Sequence, residues 1–427
     1  MARIVVIGAG AMGLAAAYHA CKRGHQVTVL EGAPEPGGMA AHFNFGGLSI
    51  ERFYHFVCKS DHATFQLLEE LGIGDKIRWV PTSMGYYVDG RLYPWGDPVS
   101  LLRFPKITLI EKIRYGLMMF ISTKRSDWRP LENVSAKDWI EAWCGRRVYE
   151  QLWKRLFDLK FFEYADNISA AWIWTRIKRV GTSRRSMFQE ELGYIDGGSE
   201  TLVHALVNAI RTPGGQIVLG AAASRVETQG GRVTGVTAGG KTYGADAVIC
   251  TVPTPFIPTL VPDLSAEALK QYQAIKNIGV VCVVLRLRRS VSPHFWINIM
   301  DARFECPGMV EFSNLRPTGD TIVYVPYYMP TTHPKFSGSD AAFKEETFGY
   351  VKLVNPAIRD DDLVGVHLGR LRHAQPVCPP GFAAMLPPIE TQICGLQIAD
   401  TCFYYPEDRG ISESVRLGKM MAENIQK

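Results

Sequence analysis

Residues 3–40 read RIVVIGAGAMGLAAAYHACKRGHQVTVLEGAPEPGGMA. Arg3 to Ile7 is a β-branched run bounded by glycine, the pattern of a buried strand. Gly8 to Gly13 follows as a turn, and Leu14 to Arg23 has helical composition with Gly24 as its C-cap. Gln26 to Leu30 is a second strand that ends at Glu31, so the expected unit is βαβ. GxGxxG alone is a weak signal. Between a strand and a helix, with an acid closing the next strand, it reads as a dinucleotide site. Gly8 permits the tight turn, Gly10 lets the backbone approach a pyrophosphate, and Gly13 lets helix and strand pack closely. The helix N-terminus around Ala11 and Met12 offers free N–H groups and a positive dipole end to phosphates. Glu31 can accept hydrogen bonds from both ribose hydroxyls and repels a 2′-phosphate, which disfavours NADP. Gly37-Gly38, followed by Met39, suits a chain crossing close over a bound cofactor. A simple NAD site has no need of that pair, so FAD is the expected cofactor. Arg3, the apolar run and the later AAA also have the outline of a secretion signal. Three glycines interrupt the run, however, and a second strand follows it.

The chain has 427 residues, enough for two to three domains. Its hydrophobic content of 47% is ordinary for a globular protein, and a net charge of +5 is too weak to imply nucleic acid. Nine cysteines without a CxxC pair read as reduced thiols, with neither a disulfide framework nor a metal site. The longest apolar runs, such as Val280 to Leu285, fall far short of the roughly 20 residues of a membrane span. Cytoplasmic residence is the expectation.

Further along, Thr64 to Leu71 reads as a helix, and Met84 to Trp95 as a hairpin turning at Asp89-Gly90. Residues from about 100 to 190 read as helices rich in Trp, Lys and Arg. Between Ser100 and Glu190 there are 18 basic and 10 acidic residues, so the positive charge is concentrated there. Residues 193–252 return to α/β patterning with Gly-Gly turns. Residues 278–330 alternate with period two, the mark of a second sheet, and a helix follows at about Ala341 to Val354.

The segment VVIGAGAMGLAAAYHACKRGHQVTVLEGAPEPGG resembles the flavin-containing amine oxidoreductases. That superfamily includes protoporphyrinogen oxidase, the phytoene desaturases and, more distantly, UDP-galactopyranose mutase. The resemblance continues in GYIDGGSETLVHALVNAI with GGQIVLGAAASRVE, and ends in GLQIADTCFYYPEDRGISESVRLGKMMAENI. Bacterial protoporphyrinogen-oxidase-like proteins of the ERFYHF…YPEDRG type are the most similar in pattern. The resemblance implies an α/β plus α+β chain with a discontinuous Rossmann-type FAD domain at 1–80, 193–255 and 390–427. Residues 81–192 and 256–389 would form a substrate domain of mixed sheet and helices, including the basic insert. It also implies a backbone contact from Val226 to adenine, and a hydrogen bond from Asp400 to the ribityl–phosphate region. A helix start at Gly410, Ile411 and Ser412 would point at the flavin ring. Ala399 stands where the family usually has glycine, so a small shift is expected there. Cys394 and Cys402 lie outside the context of a flavin-linking cysteine, and the FAD is expected to be non-covalent.

Tyr54 and His55, in IERFYHFVCKSD, fall where related enzymes cover the flavin face. They would position substrate or move protons, or else form an aromatic wall with a hydrogen-bonded histidine. Arg370 and Arg372 share one face of a strand, as a clamp for phosphate or carboxylate or as a solvated face. Glu311 and Asn314 form a third polar cluster. The basic insert reads as a lid over an anionic substrate, as a peripheral membrane contact, or as an amphipathic domain whose tryptophans are core. The expected reaction is hydride removal from a C–N or C–C bond of a small anionic or lipid-linked substrate. A sugar mutase, a desaturase of prenyl lipids and a non-enzymatic flavoprotein are the rival readings. Oligomeric state is left open.

Overall fold

The computed structural model of the chain describes residues 1–425. Its first layer is a five-stranded parallel sheet. The strands run in the order Gln216–Val218, Gln26–Leu30, Arg3–Ile7, Ala247–Cys250 and Leu396–Ile398. The first strand is apolar at successive positions because both of its faces are covered. Ile4 and Val6 pack with the helices Ala11–Lys22, Ser199–Arg211 and Ile411–Glu423. Val5 and Ile7 pack on the other side, against the antiparallel sheet of Ala223–Gln229, Arg232–Ala238 and Lys241–Gly244.

The small side chains of Ala11–Lys22 let the last helix lie directly on it. A Cβ at Gly418 would stand 2.3 Å from the carbonyl oxygen of Met12. The Arg23 guanidinium, just past the end of the first helix, donates to the carbonyls of Ala422 and Glu423. The two helices therefore run parallel, with their N-termini at the same end, and a cation closes the far end, where helix carbonyls are unpaired.

The second layer is a seven-stranded sheet ordered Leu363–Pro376, Asn277–Leu287, Thr321–Met329, Gly308–Glu311, Trp296–Ile299, Met84–Val88 and Arg91–Trp95. It is antiparallel except where Trp296–Ile299 runs parallel to Met84–Val88. The expected hairpin is present, and Asp89 and Gly90 both have positive φ, 49° and 74°, as a type I′ turn requires. Period two again divides the sheet. Val281, Val283, Val323 and Val325 face the helix Asp340–Val354, while Cys282, Val284 and Tyr324 face the segment around Tyr54.

The insert forms six helices, Pro98–Arg103, Leu109–Lys124, Ala136–Cys144, Arg146–Leu152, Lys154–Phe161 and Ala170–Thr182. Its tryptophans belong to the core. Trp139, Trp172 and Trp174 are buried, and Trp128, Trp143 and Trp153 pack against them. The helical reading runs too far at the end. Arg184–Ser186 and Gln189–Ile195 are strands, and the second pairs with Ile77–Thr82. The cause is tertiary: Glu190 is buried there and accepts from the Thr82 hydroxyl. The positions 80/81 and 192/193 lie inside this ladder. Among the described residues no helix is long and apolar enough to cross a membrane.

Because the space behind Gly418 is filled by helix backbone, Gly418→Ala should cost about 1–3 kcal/mol, the range for overpacking. Urea unfolding measures it, and an unchanged midpoint would show that the two helices can separate freely.

Candidate active site

The parallel strands end at a crest built from glycine. Gly8 has φ 101° and its N–H donates to Leu30. A Cβ at Gly8 would stand 2.7 Å from Thr251 Oγ1, and one at Gly13 would stand 1.9 Å from the Gly8 carbonyl oxygen. Gly10 differs: nothing lies within 4 Å of where its Cβ would be, so the space beside it is open. Glu31 accepts from the N–H groups of Ala9 (2.7 Å) and Ala33 (2.8 Å). These bonds fix the carboxylate at the end of its strand and leave about half of its four lone-pair sites free. The Gly37 N–H donates to Ala9 at 2.7 Å, with φ 116°, and the Gly38 Cβ position is 3.1 Å from Gly10 Cα. The glycine pair is thus needed to close the chain onto the turn itself. Met39 follows in the short turn Gly38–Ala40.

Val226 is fully buried in the outer strand of the three-stranded sheet, opposite Val236. Asp400 accepts from the N–H groups of Thr254 (2.6 Å) and Cys402 (2.8 Å), so it ties the last strand to the neighbouring loop. The Thr254 hydroxyl beside it is buried and unpartnered. The helices Ala11–Lys22 and Ile411–Glu423 both begin after a glycine, Gly10 or Gly410, with no side-chain cap. Ile411 and Ser412 form the first turn of the second helix. Two sets of unpaired N–H groups at one edge, open space beside Gly10 and free lone pairs on Glu31 are what a dinucleotide needs. The residues present fit such a cofactor.

Tyr54 is packed edge-on against Trp296 and Tyr324, each at 5.8 Å, and burial raises its hydroxyl well above the usual range. His55 Nδ1 is buried without a hydrogen-bond partner, and burial pushes the ring down to about 4, so it is neutral at pH 7. The two arginines of Leu363–Pro376 lie elsewhere. Arg370 is exposed, and it pairs with Asp340 at 2.7 Å and donates to the Gly338 carbonyl at 2.8 Å. Arg372 is also exposed. The geometry does not bring this pair to Tyr54, and Arg370 holds the start of helix Asp340–Val354 instead. Glu311 accepts from Ser290 and from the N–H groups of Val291 and Ser292, while Asn314 donates to the carbonyls of Ser292 and His294. Both therefore secure the loop at 290–294.

A polar island that the sequence reading did not single out lies immediately before Gly410. Arg409 donates to Tyr328 Oη at 2.8 Å and to the Ala374 carbonyl. Asp408 is 3.1 Å from Arg176 and has one carboxylate oxygen buried without a hydrogen bond. Burial opposes its ionisation, but Arg176, Lys160 and Arg409 hold its carboxyl below the usual range. Lys160 is 5% exposed and makes no ion pair among the described residues. Its ammonium nitrogen lies 5.0 Å from the ring centres of Trp172 and Tyr328 and 5.6 Å from that of Phe161. Burial, helped by Arg176, pushes the Lys160 amine well below its usual value. Beside the island, Arg179 holds Asp61 through two bonds of 3.0 and 2.7 Å. Lys160 is one of 18 basic residues in a helical pattern, and only the apolar run LKFF around it hinted at burial.

A parallel sheet with a glycine crest and two uncapped helix starts defines a fold of the Rossmann type. The model of the flavin containing amine oxidoreductase family matches residues 13–368, and the chain belongs to that family. It is 24% identical to 15-cis-phytoene desaturase of Arabidopsis thaliana over 69% of this chain and 54% of that protein. The chain thus spans about half the length of that relative. Among solved structures, an oxidoreductase from Methanosarcina mazei superposes with a TM-score of 0.74 at 18% identity, covering 99% of this chain and 100% of that one. Cyclohexylamine oxidase from Brevibacterium oxydans IH-35A superposes with a TM-score of 0.71 at 16% identity, covering 99% and 98%.

Burial pushes Glu311 from 4.5 up to about 7. An acid with a raised native value binds its proton more tightly when folded. Its contribution to stability is therefore present below about 4.5 and declines as pH rises to about 7. Urea unfolding at pH 5 and pH 7.5 should show Glu311→Gln losing less stability across that interval than the wild type. Equal losses would refute the assignment.

Proposed function

We propose that the chain is an FAD-dependent oxidoreductase that removes hydride from a C–N or C–C bond of a small anionic or lipid-linked substrate. One observation carries this reading: the island of Lys160, Arg176, Asp408 and Arg409 directly precedes the uncapped helix start at Gly410. When bound, the flavin supplies the hydride acceptor. The turn Gly8–Gly13 would hold the pyrophosphate, Glu31 the ribose, the Val226 backbone the adenine, Asp400 the ribityl–phosphate region, and Gly410 to Ser412 the flavin edge. We read the flavin as non-covalently held, a reading supported by the burial of Cys402, which raises its thiol well above the usual value. We divide the chain as 1–80, 193–255 and 390–427 for the cofactor, and 81–192 and 256–389 for the substrate. Eight buried free cysteines suit a reducing cytoplasm.

On the substrate side, Lys160 acts as the base. Burial, then the neighbouring Arg176, push its amine well below the usual value, which favours the free base that can take a proton at Nζ as the hydride leaves. Arg176 and Arg409 supply the positive field for an anionic group, while Asp408 limits their excess. Tyr54, Tyr328 and Trp172 form walls that exclude water. His55, being neutral, accepts or donates one hydrogen bond and carries no charge. The surface position of Arg370, bound to Asp340, removes the main support for a nucleotide-sugar mutase.

Purified protein should be yellow, absorb at roughly 370 and 450 nm, and release FAD on denaturation, as a flavin protein must. Colourless protein that cannot be reconstituted rejects the cofactor assignment. In a substrate screen of amines, anionic metabolites and prenyl lipids, Lys160→Met should slow flavin reduction by about 10²–10⁴, the usual range for losing a base. Flavin content should stay unchanged. The wild-type rate should rise with pH as the lysine loses its proton, and the variant should lack that limb. Equal reduction rates with the same pH limb would remove Lys160 from the mechanism.

A further inference from the structure

Among the described residues, half of the exposed large apolar side chains lie within one stretch of the insert. Seven of the fourteen fall between Val99 and Phe120. In helix Leu109–Lys124 they form a stripe. Ile110, Ile113, Leu117 and Phe120 are spaced three, four and three residues apart, on one face, and their exposure runs from 49% at Leu117 to 71% at Ile110. The opposite face, with Tyr115, Met118 and Ser122, is buried in the core. The helix therefore has two apolar faces, and the fold covers only one.

The stripe continues onto neighbouring elements. The Lys112 ammonium donates to the Leu102 carbonyl at 2.7 Å, which joins this helix to Pro98–Arg103, where Val99 and Leu102 are exposed. One nitrogen of Arg184 donates to both Gly96 (3.1 Å) and Met187 (3.0 Å). That bond sets the turn with exposed Met187 and Phe188 beside the start of the same short helix.

Charge frames this ridge with one sign. Residues 99–125 contain six basic side chains and one acid, Glu111. Glu111 is committed to the helix cap, where it accepts from the Thr108 N–H at 2.6 Å. Lys112 and Arg114 flank the stripe on its two sides, and Lys124 lies 5.5 Å over the Phe120 ring at its end. A helix of 16 residues is about 24 Å long and too short to span a bilayer. An apolar stripe on such a helix, bordered by cations, is the form of an interfacial helix lying in the plane of a membrane.

We propose that this ridge docks the protein on an anionic lipid bilayer. The apolar side chains enter the acyl boundary and Arg103, Lys112, Arg114, Lys124 and Arg125 meet the headgroups. The surface is independent of the cofactor site, so binding is expected with or without flavin. The test uses the full chain and sedimented vesicles of phosphatidylcholine alone or mixed with phosphatidylglycerol. Wild-type protein should sediment with the mixed vesicles and far less with phosphatidylcholine, and high salt should weaken binding. The triple variant Ile110→Ser/Ile113→Ser/Phe120→Ser should lose at least about tenfold of the partition, as expected for three unburied apolar side chains. These positions face solvent, so its melting temperature should match the wild type. Lys124→Glu/Arg125→Glu, which leaves the stripe intact, should also lose about tenfold, mainly on the mixed vesicles. Equal sedimentation with both vesicle types, or binding unchanged in both variants, would overturn the proposal. So would a wild-type dimer that the triple variant dissolves, because the stripe would then seat a second copy of the chain.

Discussion

A helix can leave a strand within a few residues only if the turn between them carries no side chains where backbone meets backbone. Gly8 and Gly13 meet that condition, with 1.9 Å between the missing Cβ of one and the carbonyl of the other. The rest of the cofactor side follows from it. The first helix lies flat on the sheet, its alanines admit helix Ile411–Glu423, and Gly418 lets the two backbones touch. Since those helices run parallel, their uncapped starts share one edge. The positive ends of both dipoles and their unpaired N–H groups therefore face the same side of the sheet.

The second influence on the site is the unequal burial of charge. Lys160, Arg176 and Arg409 surround one carboxylate, Asp408, which already has a guanidinium partner. The interior resolves the excess in two ways. Aromatic faces take part of the lysine's positive field, and the amine loses its proton more readily than in water. Arginine has no such escape, so Arg409 finds the Tyr328 hydroxyl and the Ala374 carbonyl instead.

Much of the scaffold was legible in the sequence because it depends on short-range rules. Glycine spacing, the β-branched run Ile4 to Ile7, the Asp89-Gly90 turn and the strand-rich run from Gln216 to Cys250 all reappear in the fold. Its helical reading of the insert held as far as Thr182 and then failed, because Gln189–Ile195 is strand only through its pairing with Ile77–Thr82. The polar side chains were harder to read. Arg370 and Lys160 look alike as letters, each a cation in an amphipathic segment. Which one faces water depends on elements far away in the chain: Asp340 draws Arg370 outward, and Trp172 and Tyr328 enclose Lys160. The pair Gly37-Gly38 was read as making room for a ligand. In the fold it also makes room for the chain itself, against Ala9 and Gly10.

Residues 405–410 bear on how the molecule deforms. Tyr405 bonds Glu132 and Ser169 of the insert, Arg409 bonds the seven-stranded sheet, and Gly410 starts a helix of the cofactor layer. Six consecutive residues thus join the insert, the seven-stranded sheet and the parallel-sheet layer. A hinge cannot operate through such a joint without first breaking the charged bond between Tyr405 and Glu132. Any movement of the insert against the two sheets at this seam therefore costs those bonds.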